Sequence, residues 1–433
     1  MIENFKKEKI SVAKLFFILT LFELIFLGPG LNVYNVSVRQ LIFLLSFCIF
    51  FIFLFLKGKF LFPSFIRISV VFVFLNFFIW GLLLALVRDN SLNYAFADSR
   101  GILYLLYILP WTNFAFYENW SNRFVTNIFL IFISLFSMVI NLIVILFLFD
   151  YLRFYQIISF LDNTLNFHVI FGIMPDGFPR IVWSQFIFFI PASLFFTSEL
   201  ISRKRLSFSK LIALLSCLLS LVFSYSRGIW LGLIVGLILL FLISKKTINV
   251  RNIVVMTMLL LCLFIVIRLL SFGYLALLQE RFLSSFDTQE MSNAIRFSQI
   301  KFLLSEWMKY PLLGKGYGAT VEGLIRNDVA PYSFELVPLA MLMKLGLLGV
   351  TLWIFYFILL MSESKRQIKD ANDKYKKNNK QGWILKAIYS SIPAILVSSS
   401  ADPFFFNSVG MGIMALFILM LTINKIEISH EKN

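Results

Sequence analysis

Long apolar segments, separated by short polar stretches, follow one another along almost the whole chain. Most approach the roughly 20 residues that a helix needs to cross a bilayer. Their hydrophobicity is continuous rather than alternating, which favours helices over strands. Hydropathy and length together predict about twelve transmembrane helices, at residues 15–30, 40–56, 69–87, 101–117, 125–148, 181–200, 211–225, 229–244, 252–270, 337–361, 384–400 and 404–422. The predicted fold is an all-α polytopic membrane protein, in which residues 1–433 form a single integral membrane domain.

The composition supports this prediction. Of the 433 residues, 60% are hydrophobic and only 14% are charged, and 53 of them are Phe. Soluble domains are usually only about 45–50% apolar, so this chain is more apolar than they are. The three cysteines lie inside apolar segments, so the sequence predicts neither a disulfide framework nor a cysteine metal site.

The positive charge of the chain indicates its orientation in the membrane. The net charge is +16, and the lysines and arginines concentrate in alternate loops. Because cytoplasmic loops of membrane proteins are enriched in Lys and Arg, we expect both termini and residues 362–383 to be cytoplasmic. The largest outer loop is then 271–336, where extracytoplasmic chemistry would lie. Topology and contacts with anionic membrane lipids explain the charge better than a nucleic-acid partner does.

Arg227 lies between two predicted spans with almost no loop around it. The surrounding residues 223–233 read FSYSRGIWLGL. A guanidinium is always charged and is costly to place in hydrocarbon. Arg227 therefore marks either a membrane face, where its side chain would reach the interface, or a site that binds an anion there.

A second arginine, Arg296, occurs in the large outer loop. Residues 295–309 are predicted to form an amphipathic helix on the membrane surface, with Arg296 in the centre of its apolar face. The apolar side chains of that face belong to Ile300, Leu303, Leu304 and Trp307. A charge in an apolar stripe needs a partner. A carboxylate such as Asp287 or Glu290 would serve, and so would a phosphate of a lipid-linked substrate, which a guanidinium fork matches well.

Two further features follow in the same loop. Residues 310–318 read YPLLGKGYG, and three glycines at alternate positions allow tight turns and close approach of another backbone. Glu335 then precedes a predicted helix that continues into LGLLG at residues 345–349. Its carboxylate would either complement the helix N-terminus or act as a general base.

The order of these motifs resembles that of the bacterial O-antigen ligase/polymerase family. The resemblance is carried by SRGIWLGL at 226–233, by Arg296 ahead of PLLGKGYG at 311–318, and by LGLLG at 345–349. Ligases of this family resemble one another in a His-Asn pair before the third motif, and that pair would fall at Glu335 and Leu336. The two histidines of this chain are elsewhere, at His168 and His430. The resemblance therefore points to the polymerase branch.

The resemblance implies a C-type glycosyltransferase of surface polysaccharide assembly, either O-antigen or capsule. Its donor would be a glycan on undecaprenyl diphosphate, and its acceptor a lipid-linked repeat unit. Arg227 and Arg296 correspond to the family's essential arginines and would bind the diphosphate, with Glu335 as the candidate base. No metal-ligand cluster stands in the outer loops, so transfer without a metal or another cofactor is expected.

Three more residues are candidates for lining the site, namely Arg100, Arg180 and Tyr317. Arg100 could instead pair with Asp98, and Arg180 could be an interfacial anchor. A chain-length regulator is a further partner that the resemblance implies. Two other functions stay open: a ligase that transfers finished glycan to lipid A-core or protein, and a flippase or transporter of lipid-linked sugar. The latter predicts repeated halves and charges near the bilayer midplane, and neither is clear in this sequence.

Overall fold

The structure is a computed structural model that describes residues 11–28, 32–33, 36–58, 60–148, 156, 170–173, 179–202, 207–245, 254, 257, 258, 261, 265, 291–324, 330–374, 382–400 and 404–430. Most of the predicted span 252–270 lies outside these residues, as do Asp287, Glu290 and His168.

The described chain is mainly helical, with two short antiparallel hairpins. Its first half contains α1 (Val12–Phe26), β1 (Asn32–Val33), β2 (Val36–Ser37), α2 (Val38–Lys57), α3 (Ser64–Leu75), a π-helical segment (Asn76–Leu83), α4 (Leu84–Val87), α5 (Leu92–Leu103), a 3₁₀ turn (Tyr104–Tyr107), α6 (Ile108–Tyr117) and α7 (Asn122–Leu148). Its second half contains β3 (Ile170–Ile173), β4 (Pro179–Val182), a 3₁₀ turn (Ser184–Phe188), α8 (Phe189–Ser202), α9 (Phe208–Phe223), α10 (Arg227–Ser244), α11 (Met291–Lys309), α12 (Val337–Lys374), α13 (Gly382–Ser398) and α14 (Ser408–His430). In the hairpins, Asn32 pairs with Ser37 and Ile170 with Val182.

Seven helical segments of the described chain are long and apolar enough to cross a membrane. They are Val38–Lys57, Ser64–Val87, Asn122–Leu148, Ser184–Ser202, Arg227–Ser244, Val337–Ala371 and Ser408–Glu427. Two shorter apolar helices, α9 and α13, coincide with two other predicted spans. The all-α multi-pass architecture is thereby confirmed. Predicted span 15–30 forms α1, a helix of 15 residues, and 101–117 lies in a helical stretch interrupted by a 3₁₀ turn.

Two of the spans form the centre of the bundle. Within the most apolar windows of Ser184–Ser202 and Ser408–Glu427, 94% and 89% of the residues are buried, against 11% in Val38–Lys57. Their neighbours therefore surround α8 and α14, whereas Phe50 is the one apolar side chain of α2 that is buried. Since lipid tails are as apolar as these side chains, contact with lipid costs little, and such a helix is expected at the rim of a membrane protein.

Local sequence signals account for the ends of several helices. The Ser37 side chain accepts from the Gln40 backbone N–H, and Gln40 accepts from the Ser37 N–H in return, a capping box at the start of α2. Gly58 ends α2 in the left-handed conformation. Residues 362–374, at the start of the segment expected as a cytoplasmic loop, continue the helix α12.

The helices α10 and α13 pack closely because α10 has glycines at the contact. A Cβ on Gly232 would approach Ala394 O to 2.5 Å and Ser398 Cβ to 2.8 Å, and one on Gly236 would approach Ala394 Cβ to 2.9 Å. Small residues of this kind let helix backbones approach each other in membranes. Gly232 lies nearer to Ser398 and Gly236 nearer to Leu194 and Ala394, so α10 and α13 run antiparallel. Arg227, at the start of α10, is therefore at the same end of the bundle as the end of α13.

A buried ion pair joins three helices at that same end. Arg39 of α2 pairs with Glu23 of α1, and both side chains are almost fully buried, at 3% and 0% exposed. Arg39 also donates to the Leu27 carbonyl and to the Ser408 hydroxyl at the start of α14, both at 2.6 Å. Because a buried guanidinium needs its hydrogen bonds satisfied, these contacts fix the relative positions of α1, α2 and α14.

Candidate functional site

Arg227 is the first residue of α10 and follows a tight turn from α9. Tyr225 in that turn is buried and has φ 50°, and Ser226 donates its backbone N–H to the Ser224 hydroxyl at 3.3 Å. The Trp230 indole donates back to the Leu221 carbonyl at 2.8 Å. A cation in the first turn of a helix opposes the helix dipole. Helix electrostatics therefore do not explain an arginine at this position. An anion bound near the same N-terminus would be stabilised both by the helix dipole and by the guanidinium.

Arg180 lies beside this turn. It belongs to β4, and its Nε donates to the carbonyl oxygen of Ser224 at 3.4 Å. The hairpin β3–β4 thus brings a second guanidinium to the turn that presents Arg227. Both side chains are half-buried.

The helix α11 carries Arg296 on the face that packs against the rest of the protein. Leu303 is fully buried and Gln299 nearly so, and they meet Ala340 and Met343 of α12 and the loop before it. The polar side chains of Lys301, Ser305 and Lys309, on other faces of the helix, are exposed. Protein covers much of the apolar stripe, which differs from the predicted placement on the membrane surface. Periodicity identifies a buried face but not what covers it.

Arg296 pairs with Glu335. The Arg296 Nε lies 3.4 Å from the Glu335 Oε2, and the two side chains are 30% and 18% exposed. The sequence indicated that Arg296 needs a carboxylate or a phosphate, and the structure places the Glu335 carboxylate beside it. Asp287 and Glu290, the carboxylates named from the sequence, lie outside the described residues. Glu335 comes two residues before α12 begins, and the intervening Leu336 donates its N–H to Gln299 Oε1 at 3.4 Å. The side chains interpreted as diphosphate ligand and as base are thus neighbours.

The glycine-rich segment inserts into a break in α12. At Gly346 the helix has φ 64° and ψ −172°, and its backbone there is not helical. Lys315 and Gly316 donate their N–H groups to the carbonyls of Met343 and Lys344, at 2.9 and 2.8 Å. After the break, Leu347 and Leu348 donate to the carbonyls of Pro311 and Leu312, at 2.9 and 3.0 Å. Irregular backbone at membrane depth requires such partners within the protein.

Trp80 also holds the break in α12 in place through hydrogen bonds. Its Nε1 lies 2.9 Å from both the Leu313 and the Leu345 carbonyl oxygens, and its own carbonyl accepts from the Tyr317 N–H at 2.9 Å. Trp80 belongs to the π-helical segment Asn76–Leu83, and π-helical insertions are frequent at functional sites. The hydropathy of the sequence gave no sign of either irregularity.

Asp98 joins the glycine-rich segment to α12. Its Oδ2 lies 2.6 Å from the Lys344 Nζ and accepts the Gly318 N–H at 2.9 Å. The alternative that Asp98 pairs with Arg100 is wrong, since Arg100 is exposed and Lys344 is the partner of Asp98. Successive residues of a helix point in different directions, so a carboxylate directed at the loop leaves Arg100, two residues on, outside this contact.

A small cavity of about 60 Å³ adjoins this ion pair. Its lining includes Asp98, Tyr317, Ser333, Lys344 and Phe406. Phe406 belongs to the turn between α13 and α14, at the same end of the bundle as Arg227. The Lys344 ammonium also lies over the rings of Tyr332 and Phe334, at 5.8 and 5.5 Å from their centroids. Lys344 and Tyr332 are site residues that the sequence reading missed, because nothing local marks them.

Three side chains in or near the glycine-rich segment have shifted pKa values. Burial, with a further contribution from the nearby Asp98 carboxylate, raises the pKa of both Tyr317 and Tyr332, so both phenols stay protonated. Glu306 of α11 is partly desolvated, but hydrogen bonds from Lys309 and Lys315 outweigh this and hold its pKa below the ordinary value. Lys315 thereby ties the glycine-rich segment to α11, with its Nζ 3.2 Å from Glu306 Oε2.

The described residues contain no group of three or more His, Cys, Asp or Glu side chains placed to hold a metal ion.

Comparison with known proteins identifies the relationship of this region. No curated protein matches the chain. Residues 212–354 match a protein family described as O-Antigen ligase. The match contains Arg227, Arg296, the glycine-rich segment, Glu335 and the break at Gly346. Proteins of this family are bacterial inner-membrane enzymes of the ligase/polymerase type that transfer glycans in polysaccharide biosynthesis. The chain is therefore a multi-pass membrane protein whose residues 212–354 are similar to the O-antigen ligase family.

Proposed function

We propose that the protein is a polymerase of surface-polysaccharide repeat units, of O-antigen or capsule. It would transfer a glycan from undecaprenyl diphosphate to a repeat unit on the same lipid. The observation that carries this proposal is the contact between Arg296 and Glu335. It joins a cation suited to phosphate with a carboxylate at the position that a histidine occupies in the family's ligases.

The proposed reaction forms a glycosidic bond and breaks a glycosyl–phosphate bond. An acceptor hydroxyl oxygen attacks the anomeric carbon of the donor sugar, its proton passes to the Glu335 carboxylate, and undecaprenyl diphosphate leaves. Negative charge develops on the leaving diphosphate, and Arg227 and Arg296 would stabilise it, since fixed cations act strongly in a site that excludes water. Both arginines stay protonated throughout, so each keeps its positive charge as the diphosphate leaves.

The ion pair suggests an order of events. In this structure the carboxylate of Glu335 has a cation beside it, at a distance of 3.4 Å and with both groups partly open to solvent. A diphosphate offers Arg296 a more highly charged partner with more acceptor oxygens. Binding of the donor would draw the guanidinium away and leave Glu335 to face the acceptor hydroxyl.

The proposal places the protein in the bacterial cytoplasmic membrane, with about twelve spans, cytoplasmic termini and an extracytoplasmic site. Residues 271–336 would be the outer loop and 362–383 an inner one. The distribution of described residues supports this orientation. Lys57 and Lys210 lie at the end of the bundle opposite to Arg227, where a cytoplasmic surface would be rich in lysine. The proposed partners are the lipid-linked oligosaccharide, membrane lipids and a chain-length regulator.

The experiment is complementation of a deletion strain, with surface polysaccharide resolved by length on a gel. The variants are Arg227→Ala, Arg296→Ala and Glu335→Gln. Lys301→Ala is the matched control, because Lys301 is a cation on the same helix as Arg296 but is exposed. We expect each site variant to lower polymerisation by about 10²–10³-fold, as removal of a transition-state contact does, and the control to restore long chains at matched protein level.

The strain phenotype separates polymerase from ligase. A polymerase deletion leaves single repeat units on their final acceptor, and the arginine variants should reproduce that pattern. If the deletion instead leaves long chains on undecaprenyl diphosphate, the protein is a ligase. If Arg227→Ala and Arg296→Ala both restore normal chains, the assignment of the two arginines to the diphosphate is refuted.

A further inference from the structure

An apolar groove of about 400 Å³ lies between α3 and the part of α12 beyond its break. Its walls are side chains such as Ile68, Val71 and Leu75 on α3 and Leu352 and Phe355 on α12. The groove is on the outer surface of the bundle, because Val71 and Phe355 are each more than half exposed. It therefore faces the lipid tails of the membrane.

The floor of the groove is held in place by specific contacts. The Tyr356 ring stacks on Phe72 with centroids 4.1 Å apart, and its hydroxyl donates to the Ser69 Oγ at 2.9 Å. One turn further along, the Trp353 indole donates to Asn76 Oδ1 at 2.9 Å. Two helices joined in this way cannot slide together to close the groove.

The groove has the depth of one membrane leaflet. It extends along α3 from Ser64 to Leu75, and a helix rises about 1.5 Å per residue, which gives roughly 16 Å. The hydrocarbon core of a bilayer is about 30 Å thick, so the groove covers about half of it. This length suits the acyl chain of a glycerophospholipid and is short for a polyprenyl tail.

A cation marks one end of the groove. Arg67 is exposed, and its Nη2 donates to the Ser64 Oγ at 3.3 Å. In the part of the chain that the structure describes, no carboxylate lies within ion-pair distance of it. A guanidinium at headgroup depth, above an apolar groove between helices, is the arrangement that recognises an anionic lipid headgroup.

We propose that this groove binds one anionic glycerophospholipid, with an acyl chain along α3 and α12 and the phosphate on Arg67. The groove lies at the opposite end of the Ser64–Val87 span from the glycine-rich segment. This inference is therefore independent of the reaction proposed above, and holds for any substrate at that other end.

The test is lipid binding to the purified full-length protein by native mass spectrometry, with phosphatidylglycerol and phosphatidylcholine as the probes. The variants are Arg67→Gln and, as a matched control, Lys57→Gln, which removes an exposed cation at the same end that does not line the groove. We expect one phosphatidylglycerol to bind in preference to phosphatidylcholine. Arg67→Gln should weaken it about fivefold, which corresponds to about 1 kcal/mol for one cation near the surface, and Lys57→Gln should not.

A second variant tests the groove itself. Val71→Trp places a large apolar side chain in the groove from a lipid-exposed position, so the fold should tolerate it while the bound lipid is lost. Equal affinity for the two phospholipids, equal loss in Arg67→Gln and Lys57→Gln, or retention of the lipid in Val71→Trp would each overturn the proposal. So would displacement of phosphatidylglycerol by an equimolar polyprenyl phosphate.

Discussion

Replacement of Gly346 by alanine should destabilise the protein far more than the same change at another glycine with a similar φ. Gly346 has φ 64° and ψ −172°, a conformation that is essentially restricted to glycine and costs other residues about 1–3 kcal/mol. In addition, a Cβ at this position would collide with the Leu312 carbonyl and with the Gly314 amide. The inserted segment must move away to relieve that contact.

The magnitude follows from what such a movement breaks. The hydrogen bonds from Leu347 to Pro311 and from Leu348 to Leu312 close the break, and a typical hydrogen bond contributes about 0.5–1.5 kcal/mol. Strain and the loss of both bonds together give about 2–6 kcal/mol. Gly58 is the matched control, with φ 65° and no atom within 4 Å of a built Cβ. Its replacement should cost only the left-handed strain, about 1–2 kcal/mol.

The assay is equilibrium unfolding of the purified protein by SDS titration in mixed micelles, followed by Trp fluorescence. Gly346→Ala should lower the free energy of unfolding by at least 1 kcal/mol more than Gly58→Ala does. The Gly346 variant should also lose polymer formation in the complementation assay, while the Gly58 variant keeps it. Equal destabilisation by the two changes would refute the reasoning, because it would mean that the inserted segment yields without cost.

Two further predictions concern ion pairs. Arg39→Met should lower the free energy of unfolding by about 3–5 kcal/mol, because it leaves Glu23 buried and unpaired. Adding Glu23→Leu should recover much of that loss, and an unfolding titration that shows no recovery would contradict the prediction. Asp98→Asn and Lys344→Met should be coupled by about 0.5–3 kcal/mol in a double-mutant cycle of unfolding free energies, and strictly additive effects would show that the pair does not join α5 to α12.

Much of the helical architecture can be predicted from the sequence, because hydropathy is a local property. The apolar segments on either side of Arg227 predict two helices, and α9 and α10 end and begin within a few residues of the predicted positions. The position of Glu335 just before a helix is also as predicted. These successes rest on composition within windows of about 20 residues.

The remaining features depend on contacts between distant parts of the chain. Residues 337–361 are predominantly apolar, so hydropathy predicts one straight span and gives no sign of the break at Gly346. The break is stable only because residues 311–316 supply hydrogen bonds to it. In the same way, Lys344 is an isolated cation within the predicted span 337–361, and its partner Asp98 lies in a different helix. A carboxylate far away along the chain cannot be matched to its lysine by spacing.

The position of Trp80 has a consequence for how the protein is made. The carbonyls that its indole binds belong to residues 233 and 265 positions later in the chain. Chains are synthesised from the N-terminus, and early segments fold before late ones exist. The span that contains Trp80 is therefore inserted with an indole donor lacking its final acceptors until Leu345 has been translated. Assembly of the glycine-rich segment and α12 is thus a late step of biogenesis, and a chain truncated before that point would present an incomplete membrane surface to quality control.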